Sequence, residues 1–238
     1  MIALAPICLL AACASPLPEI HFNNAGAPTV RTIGVLTPGF PENADMAYTF
    51  EGPVIGPPIV ILLAEGARAG IRADRNKSLR HALASQDYAA QDEFTSELTN
   101  ALRAGGYKIT SVPIARNTAD FIEKYPTRNA ANVDALLDVV VTGYGYRILG
   151  VGHSGPCAPY FKLRARLIST QTSSVLMQEP LSYGTTLPEK GIIAIPDNPQ
   201  TATLAHCFDE LNGQPGPAVY GLRAATKASA EAVAGLLR

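Results

Sequence analysis

The chain has 238 residues, with 19 Lys and Arg against 20 Asp and Glu, 47% apolar residues, 16% charged residues and no Trp. This length and apolar content suffice to bury a core, which excludes disorder along the whole chain; a formal net charge of -1 leaves no overall field for holding a polyanion, so nucleic acid is not an expected partner. With 20 Gly and 19 Pro, the composition favours many turns over a long helical bundle.

Residues 1–12, MIALAPICLLAA, are uncharged and almost wholly apolar. As a helix they would rise only about 18 Å, short of the roughly 30 Å hydrocarbon core of a bilayer. They read as the apolar part of an export signal, with Ala11 and Ala12 as the small residues before cleavage. Leu10, Ala11, Ala12 and Cys13 resemble the lipobox of bacterial lipoproteins. That resemblance implies that Cys13 carries the lipid, with palmitate-type acyl chains, and becomes the new amino terminus. Ala14 and Ser15 follow the cysteine rather than Asp, which in lipoproteins resembling enterobacterial ones implies the outer membrane, facing the periplasm. Of the four cysteines, Cys8 leaves with such a signal and Cys13 is acylated. Cys157 and Cys207 remain, an even pair that suits a disulfide in an oxidising compartment.

Residues 13–30 are rich in Pro, Asn and Ala without periodicity and read as a tether, followed by a single domain over 31–238. A strand is expected from Arg31 to Thr37. Residues 38–58 hold five Pro and three Gly and read as a loop. Pro58 can open a helix in which Ile59, Leu62, Leu63, Gly66 and Gly70 share a stripe, the two glycines permitting close backbone approach. A second helix carries Phe94, Leu98, Ala101 and Leu102 on one face and stops at Gly105 and Gly106. Tyr107 to Ile114 reads as a strand and Thr118 to Tyr125 as a short helix capped by Thr118. Three alternating segments follow: from Ala135 through Tyr144 and Tyr146, from Tyr160 to Ile168, and from Ser174 to Tyr183. Lys162, Arg164 and Arg166 alternate with Phe161, Leu163, Ala165 and Leu167, which predicts a meander with one face in water. Helices from Thr201 to Asn212 and from Ala218 to Leu237 close the chain. The order implies an α+β fold, a mixed and largely antiparallel sheet with helices packed on one face.

The strand RTIGVLT, the helix ending in GGY, then DALLDVVVTGYGY with the alternating PYFKLRARLIS and SSVLMQEPLSYG, resemble bacterial envelope lipoproteins with an anticodon-binding-domain-like core, the CsgG, LpoB and TolB amino-terminal-domain type. The resemblance runs over roughly residues 31–237 by element order. It implies a non-enzymatic binding or accessory role in cell-envelope assembly or maintenance, with an envelope protein or another copy of the chain as partner. A subunit of an oligomeric secretion assembly is an alternative. No pair of ten-residue alternating segments is left over for a membrane barrel of the CsgG kind.

Several residue groups invite chemistry. Gly152, His153, Ser154, Gly155 and Pro156 approximate the nucleophile elbow of a hydrolase, with Ser154 as the nucleophile of a membrane-anchored serine hydrolase. Pro156 replaces the last glycine, however, and a strand pattern stands where a helix should supply an oxyanion amide. His21, His81, His153 and His206 are too scattered for a metal cluster, and no phosphate-gripping loop or cofactor motif is present. Tyr144 and Tyr146 share a strand face and read as packing before they read as a ligand platform. Arg68, Arg72, Arg75, Lys77 and Arg80 form a basic run that could meet anionic lipid or an acidic partner. Its plainer reading is a solvated face paired with the acidic helix from Asp87 to Glu97.

Overall fold

The computed structural model describes residues 18–23, 30–50, 58–116, 120–127, 132–151, 155–184, 190–197 and 207–238, with the backbone alone at 49–50, 58–65, 150–151 and 208. In chain order the elements are β1 (Thr32–Leu36), β2 (Asp45–Phe50), α1 (Pro58–Ala84), α2 (Ala90–Ala104), β3 (Lys108–Val112), β4 (Ala135–Val151), β5 (Cys157–Ser169), β6 (Val175–Tyr183), β7 (Ile193–Ile195), α3 (Cys207–Gly213) and α4 (Pro215–Gly235). One mixed sheet runs β3-β1-β4-β5-β6-β7, and β2 also pairs with β4. The long ladders, β4 with β5 and β5 with β6, are antiparallel, as the alternating segments imply, while β1, β2, β3 and β7 join in parallel.

β4 is long enough to have two neighbours on one edge. Its first residues pair with β1 and its last with β2. Between them Gly39 bridges Val140, so the chain from Thr32 to Phe50 follows β4 almost throughout. The expected loop over 38–58 is thus wrong for its middle. Met46 and Tyr48 alternate in β2, but Pro38, Pro41 and the glycines around them conceal so short a strand. Gly145 makes this pairing possible. Its φ is +148°, and a Cβ there would stand 1.9 Å from the Asp45 carbonyl oxygen.

The register of β4 against β5 shifts between Val141 and Gly143. The extra residue moves the buried set from odd to even numbers. Leu137, Val139 and Val141 are followed on the same core by Tyr144, Tyr146 and Ile148. That core is closed by Phe94, Leu98 and Leu102 of α2, Leu222, Ala225 and Val233 of α4, and Leu79, Ala82 and Leu83 at the carboxyl-terminal end of α1. Phe94 stacks on Phe161 at 5.5 Å, and Phe40 packs edge-on against Phe94, Tyr144 and Phe161. Tyr144 and Tyr146 are therefore core residues, and the Tyr146 hydroxyl donates to the Ala218 carbonyl at 2.6 Å.

The second face of the sheet departs from expectation. Leu36, Val133 and Leu136 form a smaller buried cluster there, covered by Val112, Ile114, Ile122 and Tyr125. A strap of irregular chain crosses this face, and water does not reach most of it. Residues 120–127 contain no helix. The Phe121 amide donates to the Asp120 side chain and the Ile122 amide to Asp138, bonds that a helical turn would have claimed. Gly66 and Gly70 also serve differently from their expected role. No described atom lies within 4 Å of where a Cβ would stand on either, so among the described residues no backbone approaches them closely.

Candidate functional site

Asp138 stands in the middle of β4 at a position facing the strap, and it is 0% exposed. A lone carboxylate there would be costly, and the described groups that bond to it are donors. Arg116, whose side chain is 6% exposed, pairs with it, the Tyr125 hydroxyl donates at 3.0 Å and the Ile122 amide at 3.3 Å. Burial, with the Asp138 carboxylate beside it, pushes the Tyr125 phenol up to about 12. It stays protonated at neutral pH and keeps donating. Arg166 in turn donates to the Tyr125 oxygen at 3.2 Å and to Gln178 Oε1 at 2.6 Å, with its guanidinium 4.0 Å from the centre of the Phe121 ring. Arg164 lies 5.1 Å from the same ring and pairs with Asp120 at 2.9 Å. This network fastens the strap to the sheet. With its central carboxylate out of reach of solvent and surrounded by donors, it presents no general base or nucleophile.

At the β6 edge, the segment read as tether is partly held. Ile20 exchanges backbone hydrogen bonds of 2.9 and 2.7 Å with Gln178. Gln178 Nε2 donates to the Pro18 carbonyl at 2.7 Å, His21 pairs with the buried Glu179, and Phe22 packs on the core. Only residues 14–17 separate Cys13 from this docked stretch. Cys13 itself lies outside the described residues.

Cys157 and Cys207 are joined, with Cα atoms 5.5 Å apart, tying the start of β5 to the start of α3. Gly152, His153 and Ser154 lie outside the described residues, as does His206. Gly155 and Pro156 lead into strand β5, so the strand–turn–helix form of a nucleophile elbow is not built at this hairpin. Gly143 and Gly145 lie within β4. Among the described residues no group of three or more His, Cys, Asp or Glu side chains is placed to hold a metal ion.

The basic run is divided by the helical period. Arg68, Arg72 and Arg75 are half-buried at i, i+4 and i+7, with the Arg72 guanidinium 5.5 Å from the Tyr48 ring centre, while Lys77 and Arg80 are exposed. From the acidic helix, Glu93 meets Arg223 of α4 at 3.1 Å. The same pair lines a cleft of ≈ 520 Å³ between α2, α4 and the ends of β6 and β7, together with Glu97, Tyr183, Lys227 and Tyr220, the last 62% exposed. Its charges are of both signs and one pair is already made, so the cleft offers shape and an exposed phenol rather than a reactive group.

The sequence carried one signal for the strap network: Asp138 interrupts an otherwise apolar strand. Nothing local marked Arg116 as its partner, and no periodicity marked the cleft.

No family model matches the chain, and no curated protein matches it. Among solved structures it is similar to a PelC dodecamer from Paraburkholderia phytofirmans, at 13% identity and a TM-score of 0.35 over 89% of this chain and 93% of that one. It is also similar to protein XCC0632 from Xanthomonas campestris, at 11% identity and a TM-score of 0.43 over 92% and 90%. A third likeness is to lipoprotein GNA1162 from Neisseria meningitidis, at 17% identity and a TM-score of 0.30 over 68% and 88%. At such identities and scores these likenesses carry no weight for function.

Proposed function

We propose that this chain is a lipid-anchored accessory protein of the bacterial cell envelope, attached through Cys13 to the outer membrane, facing the periplasm and acting by binding rather than by catalysis. The observation that carries this reading is the Cys157–Cys207 disulfide. It uses the two cysteines that remain once a signal ending before Cys13 is removed, and such bonds persist in oxidising compartments. The docked segment around Ile20 supports the same reading, because the fold proper begins within a few residues of the modified cysteine. The buried polar groups support a binding role. Asp138 and the donors around it hold one another, and a cleft and a basic helix are among the accessible features of the described residues.

The test is fractionation of the producing cells. Wild-type protein is expected in the membrane pellet, resistant to high-salt and alkaline washes, whereas Cys13→Ala should either remain as an unprocessed precursor or move to the soluble periplasmic fraction. A Cys13→Ala protein processed as the wild type and retained in the pellet to the same extent would exclude acyl anchoring at this residue.

A further inference from the structure

We infer that two copies of this chain pair through the outer edge of β3, antiparallel about Thr110, so that their sheets join into one. This pairing needs neither the proposed anchor nor the membrane that would hold it.

β3 is the last strand on its side of the sheet, with β1 as its neighbour. The Lys108 amide donates to the Arg31 carbonyl at 2.9 Å. Alternate residues of a strand bond the same neighbour, so Lys108, Thr110 and Val112 are turned to β1, and the amides and carbonyls of Ile109 and Ser111 point away from the sheet. Among the described residues none bonds to them. The chain does not fold over this edge either. Lys108, Thr110 and Ser111 are exposed, and beyond Val112 the backbone turns inwards: the Ile114 amide donates to Thr37 Oγ1 at 3.1 Å, and Ile114 packs on the cluster of Leu36, Val133 and Leu136.

Elsewhere the fold covers strand edges with its own groups. Ile20 exchanges hydrogen bonds with Gln178 on the outer side of β6, β7 occupies that side from Leu181 to Tyr183, and the Met46 amide of β2 goes to the Asn76 side chain. β7 offers no comparable edge, being three residues long and followed by Pro196. An open edge is a template for further pairing, which sheets ordinarily prevent with a charge turned into it, a bulge or a proline. The two outward positions of β3 have none of these. Lys108 stands on the face of the sheet, and Pro113 comes after the last residue of the strand.

Turned end for end about Thr110, β3 matches its own copy. Ile109 falls opposite Ser111 of the second copy, and each gives one amide and accepts another. The two outward amides and two outward carbonyls of each strand are then all satisfied. The next pair would be Tyr107 with Pro113, but the Tyr107 amide is already given to the Leu102 carbonyl at 3.2 Å, and Pro113 has none to give. A register two residues to either side sets Ser111 against Tyr107 or Ile109 against Pro113, and in both cases a carbonyl goes unmatched. Charge agrees with the central register. Lys108, the charged residue of the strand, lies beside Val112 of the second copy, and the two lysines stand about 14 Å apart along the strand, beyond a Debye length. Thr110 meets its own copy across the axis, a favourable cross-strand pair. The result is the isologous contact of a two-fold dimer, and because the match lies in the order of residues within β3 itself, the partner is a second copy rather than an unrelated extended peptide.

Thr110→Cys should trap this arrangement. Residues facing each other at such a position have Cα atoms about 4.5 Å apart, within the span of a disulfide, whereas Lys108 and its copy are about twice as far apart as the roughly 7 Å limit. Mild oxidation of cells producing the variants is expected to yield a covalent dimer of Thr110→Cys at least roughly fivefold more than of Lys108→Cys, with the wild type carried alongside to account for its own cysteines. Ser111→Pro is the second arm. It removes an outward amide and leaves the bonds to β1, so the urea midpoint of the purified protein should stay that of the wild type while cross-linking of Thr110→Cys carrying it falls at least roughly fivefold. Equal cross-linking at residues 108 and 110 overturns the pairing. So does a Thr110→Cys dimer that persists undiminished with Ser111→Pro in a folded protein, a Thr110→Cys chain that gives no dimer beyond the wild-type level, or one whose bonded partner proves by mass to be a different protein. The contrast between residues 110 and 108 decides the matter even if Ser111→Pro lowers the midpoint.

Discussion

Asp138→Ala is expected to destabilise the fold by roughly 3–5 kcal/mol, read as a lower urea midpoint at unchanged slope. The magnitude follows from what the substitution leaves behind. Arg116, with a side chain 6% exposed, would keep its charge and lose its partner, and Tyr125 would lose the acceptor that fixes its hydroxyl. Against a total stability of about 5–15 kcal/mol, such a loss brings the chain close to unfolding. The pair is not expected to be worth this much against an apolar replacement. Taking two charges out of water costs a large part of what their attraction returns, so Asp138→Leu combined with Arg116→Met should recover most of the loss. The double change and the two single ones should therefore be strongly non-additive. A loss below about 1 kcal/mol for Asp138→Ala, or additive single changes, would show that the strap is held by Ile114, Ile122 and Leu136 rather than by charge.

The second large effect is expected at the disulfide. Cys157→Ala with Cys207→Ala should cost roughly 4 kcal/mol, the chain-entropy value for a cross-link between residues 50 apart in sequence. Both cysteines are buried, so alanine is the appropriate replacement; serine would add two buried hydroxyls and mix a second penalty into the measurement. The bond ties the first residue of β5 to α3, and α3 in turn packs on α1 and α4. Its loss should loosen α3 and the hairpin end of β4 and β5 before it loosens the middle of those strands. Amide exchange is the appropriate local measurement: protection should fall first in α3 and around Ile148, and last at Leu137 and Val139. Unreduced protein unfolded in denaturant should show no reactive thiol from this pair. Two reactive thiols would remove the bridge and, with it, the main support for an oxidising compartment.

How far the sequence carries depends on the range of the interactions involved. β4, β5 and β6 are legible because a sheet face writes itself locally as a period of two, and α2 because Phe94, Leu98 and Leu102 recur at helical spacing. The pairing of Cys157 with Cys207 follows from parity alone once Cys8 and Cys13 are assigned. β2 was hidden because its stability comes from β4, about 100 residues away, and because Pro and Gly surround it. β7, three residues long, is too short for any period. The covered second face reads as wet in the sequence for a related reason. Lys162, Arg164 and Arg166 are charged at alternate positions, the ordinary sign of a wet face, and only the partners Asp120, Phe121 and Tyr125 show that both arginines are engaged. A local pattern records the polarity of a face and not what the rest of the chain lays across it. In the same way, the basic run is legible in the sequence, whereas the seat of Arg72 over Tyr48 depends on β2, which is not.

Intact mass spectrometry of protein taken from native envelope is the most direct test of the central claim. The account predicts a polypeptide beginning at Cys13, heavier than its sequence by a thioether-linked diacylglycerol with or without an added amide-linked acyl chain, and lighter by two hydrogens for the Cys157–Cys207 bond. A mature chain that retains Met1 and bears no lipid would contradict it.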